Sequence, residues 1–285
     1  MSQASPALVL ATRKSPLALR QAELAASALR EKLGAKVETL PLSTTGDKRL
    51  EWSLEQQGGK GLFTKELEVA LLEKRADLAV HSAKDLPTEM PDGLALAGYL
   101  PREDPRDVLV IREDISEPKV IATGSPRRRS QLTVRYPDAE WKEIRGNVGT
   151  RLTKIAEDHL ADATVLASAG LHRLGIHGFP GLRFESFSVE DMIPAPGQAA
   201  IALQIRAEEI DRFLPACDPA TAEAVDLERA VLEALGGGCQ VAIGVHRQGD
   251  RLFLFHADKG QCVVDLAGLS AASAVDRALA ALQDS

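Results

Sequence analysis

Cysteine is scarce in this chain. The three present, Cys217, Cys239 and Cys262, form no CxxC pair and have few histidines near them, which argues against a disulfide framework or a zinc site. No apolar run approaches the roughly 18 residues that a membrane span needs. The opening stretch, MSQASPALVLATRK, carries no basic region ahead of its short apolar segment, so it does not read as a secretory signal. A reduced, cytoplasmic setting is expected. Positive charge is also in deficit: the formal net charge is −7, so neither nucleic acid nor a membrane is an expected partner of the whole surface. There is no heptad pattern and no long apolar stripe, and a monomer is the expectation.

What is present fits a globular protein. With 285 residues, 45% of them hydrophobic and 26% charged, the chain can bury a real core and divide into two or three modest domains. Arginines nevertheless concentrate in one region, as Arg127, Arg128, Arg129, Arg135, Arg145 and Arg151. They form either a solvated basic face or a concave site for a multiply charged anion. For Arg129 and Arg135 the solvated face is the better reading.

The hydrophobic pattern reads as α/β. An apolar run from Leu8 to Ala11 predicts a strand, and Ser15-Pro16 then opens a helix with serine at the N-cap and proline at the first helical position. Val37 to Leu42 predicts a second strand, followed by a polar, glycine-containing loop. Leu62 to Lys74 has helical periodicity, and Asp77 to His81 reads as a buried strand. Part of this order returns later. VIATGSPRRRSQL repeats the shape of LVLATRKSPLALRQ, and LADATVLASA stands against RADLAVHSAKD, so two similar α/β halves are expected, facing each other across a cleft. The segment IPAPGQAAIALQ predicts a crossing back to the first half. From Thr221 onward a helix, three short strands and a final helix ending near Leu282 predict a small α+β unit.

Arginine suits carboxylate recognition because its planar fork makes two charge-assisted hydrogen bonds and keeps its proton. Arg13 and Lys14 precede one predicted helix, Arg127 and Arg128 open the other, and Arg145 and Arg151 flank a turn containing Gly146 and Gly149. In VHSAKDLP a buried strand ends and at once presents His81, Ser82, Lys84 and Asp85. A carboxylate at Asp85 can stabilise a cation and relay protons. Its other reading is a loop salt bridge with Lys84. His81 reads as a packed strand-end histidine rather than a base. Cys239 follows three glycines, so its thiol can project toward a cleft, the other reading being a buried free cysteine. Cys217 and Cys262 read as buried.

Several segments, ATRKSPLALRQAE, GGKGLFTKELEVALLEKRADLAVHSAKDLP, REDPRD, SPRRRSQL, RGNVGTRL, AGLHRLG, PAPGQ and GGGCQV, together resemble the porphobilinogen deaminase family in order and spacing. The resemblance covers roughly residues 7 to 245. It implies two α/β lobes like those of periplasmic binding proteins, at 1–100 with 196–215 and at 101–195, and a C-terminal α+β domain at 216–285. It also implies a transferase that joins four porphobilinogen molecules head to tail, releases ammonia and yields hydroxymethylbilane. The primer would be a dipyrromethane cofactor held by a thioether on Cys239, with no metal. By the same matching, Asp85 would stabilise pyrrole nitrogens and the azafulvene cation, while Ser82, Lys84, Ser125, Arg127 and Arg128 would join Asp85 in holding the cofactor. Arg13, Ser15, Arg145, Arg151 and Arg173 would grip the substrate or growing chain. Phe63 would pack on a pyrrole ring, unless it is merely the first apolar residue of a helix, and Thr45 to Gly61 would form a lid. The chain departs from the family pattern at Ala83, Pro126, Gly236 and Ala199. A two-lobed anion-binding protein without catalysis would account for the lobes and arginines but not for the thiol after three glycines. A transcriptional effector module would need a helix-turn-helix ahead of a first strand that already starts near residue 7.

Overall fold

The structure is a computed structural model that describes residues 6–48, 62–237 and 242–283. The chain begins with β1 (Leu8–Arg13), α1 (Pro16–Leu33), β2 (Val37–Leu42), the single turn α2 (Thr45–Lys48), α3 (Lys65–Leu72), β3 (Leu78–Ser82) and β4 (Leu94–Tyr99). Helix α1 starts where the sequence says it should. Ser15 is the N-cap, its hydroxyl accepts from the Ala18 amide at 3.3 Å, and Pro16 holds the first position. Gly34 ends the helix in the left-handed region at φ 62°, its amide returning to the Arg30 carbonyl. The buried face of α1 is mostly alanine, Ala18, Ala22, Ala25 and Ala26, closing on Leu29. Small side chains let the helix lie close against the sheet, over Leu10, Leu78 and Leu203.

The second lobe follows with β5 (Asp107–Arg112), β6 (Val120–Ala122), α4 (Pro126–Arg135), β7 (Glu140–Lys142), α5 (Val148–Ala156), β8 (Ala163–Ala167), α6 (Ser168–Arg173) and β9 (Leu182–Ser186). Ser125 caps α4 as Ser15 caps α1, accepting from the Arg128 amide at 3.4 Å. The chain then returns as β10 (Ile201–Arg206), which enters the first sheet between β3 and β4.

The sheet orders are β2-β1-β3-β10-β4 and β7-β6-β8-β5-β9. Within each, the first three strands are parallel and the last two pairings antiparallel. The two lobes therefore share one topology, and in each the antiparallel inner strand, β10 or β5, is the one that has just crossed from the other lobe. Parallel strands align their carboxyl ends at one edge of each sheet, the edge where open α/β sheets bind ligands. The remaining unit comprises α7 (Pro219–Ala234), the antiparallel sheet β11 (Ile243–Gln248), β12 (Arg251–His256) and β13 (Gly260–Asp265), and α8 (Ala271–Ala281). Its core joins Leu227 and Val231 to Val245, Leu252, Leu254 and Ala278.

Glu228, on α7, ties this unit to the lobes. Its fully buried carboxylate receives both terminal nitrogens of Arg102 at 2.6 and 3.0 Å, the Gly197 amide at 2.8 Å and the Arg247 amide at 2.9 Å. Among the described residues, no helix is long and apolar enough to cross a membrane.

Candidate functional site

On the first lobe, β1 ends at Arg13, whose guanidinium stacks over the Phe63 ring at 4.2 Å. Phe63 precedes α3 rather than beginning it, and its ring occupies the space beside Gly46. A Cβ on that glycine would fall 2.2 Å from a ring carbon, so any larger residue displaces the ring. Residues 49–61, the rest of the expected lid, lie outside the described residues. Its first part, Thr45–Lys48, is a helical turn rather than a loop, with Thr45 held by Glu66 through its amide and hydroxyl at 2.8 and 2.7 Å.

Strand β3 delivers the residues expected at its end. His81 is buried, meets Gln204 at 3.0 Å, and is pushed down to about 4 by burial. It is a packed, neutral histidine, as the sequence implies. The Ser82 hydroxyl pairs with the buried amide of Gln21 at 2.9 Å. The chain then turns through Ala83–Asp85, burying Ala83, leaving Lys84 partly covered and exposing Asp85. An acid free to meet a ligand thus sits directly on a buried framework.

On the second lobe, Arg127 and Arg128, expected to hold the cofactor, also serve the framework of the protein. Both are buried, and both are paired with Asp107 at the start of β5. Arg127 reaches Asp107 at 2.7 Å and the Ile193 carbonyl at 2.6 Å. Arg128 places Nε and Nη2 on Asp107 at 3.0 and 2.7 Å and Nη1 on the Val165 carbonyl at 2.8 Å. Burial alone would raise the Asp107 carboxyl, but the two guanidinium groups hold it down at about 2. Sequence reasoning passed over Asp107 as a working residue, although it ends the REDPRD segment. Its partners are 20 and 21 positions away, and pairing at that range follows no sequence period.

The other arginines are less fully engaged. Arg145 is partly buried, and its Nη1 is buried without a hydrogen-bond partner among the described residues. Arg151 donates Nε to the Gly146 carbonyl at 2.9 Å, within the turn that precedes α5. Arg173 gives one terminal nitrogen to the Ala199 carbonyl at 2.5 Å, so part of its donor set serves the return crossing. Arg135 is exposed, stacked over Tyr136 and Phe187, whereas Arg129 is partly buried rather than solvated. Cys217 and Cys262 are partly buried, neither in a disulfide, and burial pushes the Cys217 thiol up to about 11. Cys239 lies outside the described residues.

The electrostatics of this region are unbalanced. Lys84 is pushed down to about 8, first by burial and then by Arg128, against the opposing pull of Asp85 and Asp107. Arg151 is pushed down to about 10 by burial, Arg128 and Arg145. Burial and Arg13 also lower Arg145. Burial is the first cause of each of these shifts, and the neighbouring cations add to it. Together with the Arg145 nitrogen that is buried without a partner among the described residues, these cations have the chemistry to receive carboxylates such as the acetate and propionate groups of a dipyrromethane.

Fold and site together define a two-lobed α/β protein in which arginines and a lysine gather beside an exposed acid at a strand end. Comparison with known proteins narrows that class. The family model described as "Porphobilinogen deaminase, dipyromethane cofactor binding domain" matches residues 8–212. A porphobilinogen deaminase of Thiobacillus denitrificans is 47% identical over 249 residues, covering 84% of this chain and 80% of its own. One from Burkholderia thailandensis is 44% identical over 286 residues, covering 96% and 84%. The chain belongs to the porphobilinogen deaminase family. It is accordingly a transferase of the hydroxymethylbilane synthase kind, with dipyrromethane as its cofactor. Among solved structures, the periplasmic VFT2 domain of Bordetella pertussis BvgS aligns with a TM-score of 0.45 at 20% identity over 80% of this chain and 92% of that one, too loose a match to inform the chemistry.

Proposed function

We propose that this enzyme joins four porphobilinogen molecules head to tail, each with loss of one ammonia, on a dipyrromethane held by a thioether on Cys239, and that one water then cleaves the four-ring chain from this primer as hydroxymethylbilane. The observation that carries this reading is the gathering of Lys84, Arg128, Arg145 and Arg151 around the turn that bears Asp85, with an Arg145 nitrogen buried and without a hydrogen-bond partner among the described residues. When bound, the dipyrromethane supplies a nucleophilic pyrrole carbon as the starting point for chain growth.

The chain's own residues then have distinct tasks. Lys84, Arg145 and Arg151 bind substrate and cofactor carboxylates, each trading a costly buried charge for an ion pair. Arg13, with Phe63 beneath it, offers a charged and flat surface to an acidic ring. Ser15 and Ser125 cap the two helices whose N-termini add partial positive charge at the cleft. Arg127 and Arg128 hold the cofactor with the N–H groups that Asp107 and the Ile193 and Val165 carbonyls leave available, and Asp107 fixes their direction. Ser82, oriented by Gln21, completes the cofactor's polar surround, and Arg173 contributes its remaining donors to the substrate. Asp85 faces the positive charge that develops on substrate as ammonia departs, and its carboxylate oxygens take up and return the protons of the substitution. A receptor without chemistry would need the cations but has no use for an exposed carboxylate among them. The enzyme works as a cytoplasmic monomer.

Intact-protein mass measurement of wild type and Cys239→Ser, with peptide mapping, tests the reading. A dipyrrole adduct on Cys239 that the variant lacks is the expected result. A wild type showing only its sequence mass, even after incubation with porphobilinogen, would leave the anion-binding reading in its place.

A further inference from the structure

Gln198 stands in the return crossing and is fully buried. A buried amide carries one acceptor and two donor hydrogens, all costly to leave unpaired. Its Oε1 accepts from Lys84 Nζ at 3.3 Å. Its Nε2 donates to the Pro105 carbonyl at 2.7 Å and to Asp107 Oδ1 at 3.1 Å. Lys84 belongs to the first lobe and neighbours Asp85. Asp107 belongs to the second lobe and holds Arg127 and Arg128. Pro105 lies in the outward crossing, so one side chain engages both lobes and both crossings.

The backbone around it is fixed on every side. The Gln198 carbonyl accepts from Arg102 Nε at 2.9 Å. Gly197 gives its amide to Glu228 of the C-terminal unit and lies so close to Ala83 that an added Cβ would stand 3.0 Å from Ala83 Cβ. Ala199 sits at φ 73°, in the left-handed region that costs a side-chain-bearing residue energy, and its carbonyl is clamped by Arg173. Strained backbone of this kind persists only where the surroundings over-determine it, and it gathers at functional sites.

We infer that Gln198 is a positioning residue for the reaction: by joining Lys84 of one lobe to Asp107 of the other, it sets the separation between Asp85 and the Arg127–Arg128 pair. The inference rests on the reading that Asp85 and the cations of both lobes act on one substrate. Reacting groups misplaced by about 1 Å can cost on the order of a hundredfold in rate, so a lost spacer shows in turnover more than in binding.

The test compares holoenzymes of wild type, Gln198→Met and Gln198→Glu by steady-state kinetics with porphobilinogen and by amide hydrogen exchange. Met removes both polar legs at similar length, while Glu keeps an acceptor for Lys84 and loses the donors to Pro105 and Asp107. With Met, kcat falls roughly ten- to a hundredfold while KM stays within about threefold. Amides of residues 101–107 and 195–201 exchange about tenfold faster, with the three-stranded C-terminal sheet at its wild-type rate. With Glu, exchange rises in 101–107 and kcat falls as well, because the link to Asp107 is lost. Two results overturn the inference. One is kcat within twofold of wild type in both variants with unchanged exchange. The other is loss of kcat accompanied by equal acceleration of exchange in all three sheets, which marks general destabilisation. If wild type itself makes no hydroxymethylbilane, the functional reading fails instead, and the exchange comparison still reports whether Gln198 joins the lobes.

Discussion

Asp85 and Asp107 are both aspartates near the cleft, and their surroundings give them opposite work. Asp85 is exposed on a short turn, so removing its charge should cost the fold little. Asp85→Asn is expected to keep the wild-type melting temperature within a degree or two while lowering kcat at least about a hundredfold, measured by calorimetry and steady-state turnover. Wild-type turnover in that variant would remove Asp85 from the chemistry. Ala199 offers a test with the opposite sign. A non-glycine residue in the left-handed region costs roughly 1–2 kcal/mol, and glycine gives back part of the relief by loosening the unfolded chain. Ala199→Gly is therefore expected to stabilise by about 0.5–1 kcal/mol in denaturant titration.

At the scale of elements, the two capped helices and their strands are interchangeable in design but not in what they bury. Helix α1 turns alanines toward its sheet, whereas α4 turns Arg127, Arg128, Gln131 and Leu132 inward. A charged face can be buried there because β5 begins with Asp107. Taking away that anion leaves two guanidinium groups unpaired, so Asp107→Asn is expected to cost about 3–5 kcal/mol by urea unfolding. The same pair sets an acid limit. The carboxyl is near 2 in the folded state against an ordinary 3.8, so its contribution to stability is present above about 4 and is lost as pH falls toward 2.

At the scale of the whole molecule, two lobes are joined by two crossings, and Lys84 of one lobe lies near Arg127 and Arg128 of the other. The cofactor-free protein is therefore expected to be less stable than the loaded one. Lys84 is near 8 when folded against an ordinary 10.5, so the unfolded chain binds the extra proton between those values. Stability of the cofactor-free protein should therefore rise as pH increases from about 8 to about 10. Loading with dipyrromethane should raise the melting temperature and flatten that rise, because its carboxylates restore the charged form of Lys84. Differential scanning calorimetry of the two forms across this range checks both statements. A cofactor-free protein as stable as the loaded one would mean that the buried cations are already balanced.

The sequence by itself determined the local and periodic features. Ser15-Pro16 and Ser125-Pro126 specify helix starts because a cap needs only residues a few positions apart. Strands β1, β2 and β3 and the final helix follow from hydrophobic periods, and the repeated strand-turn-Ser-Pro order foretold the shared topology of the lobes. The strand-end placement of Lys84 and Asp85, and the packed state of His81, were legible for the same reason. Tertiary structure alone decided the pairings. Asp107 takes Arg127 and Arg128, Gln21 takes Ser82, Arg13 lies on Phe63 against Gly46, and Gln198 meets Lys84 across 114 positions. No periodicity encodes such contacts, since they exist only once two sheets have formed and the chain has crossed between them twice. The lowered proton affinity of Lys84 and Arg151 is likewise a property of the fold, since burial is its first cause.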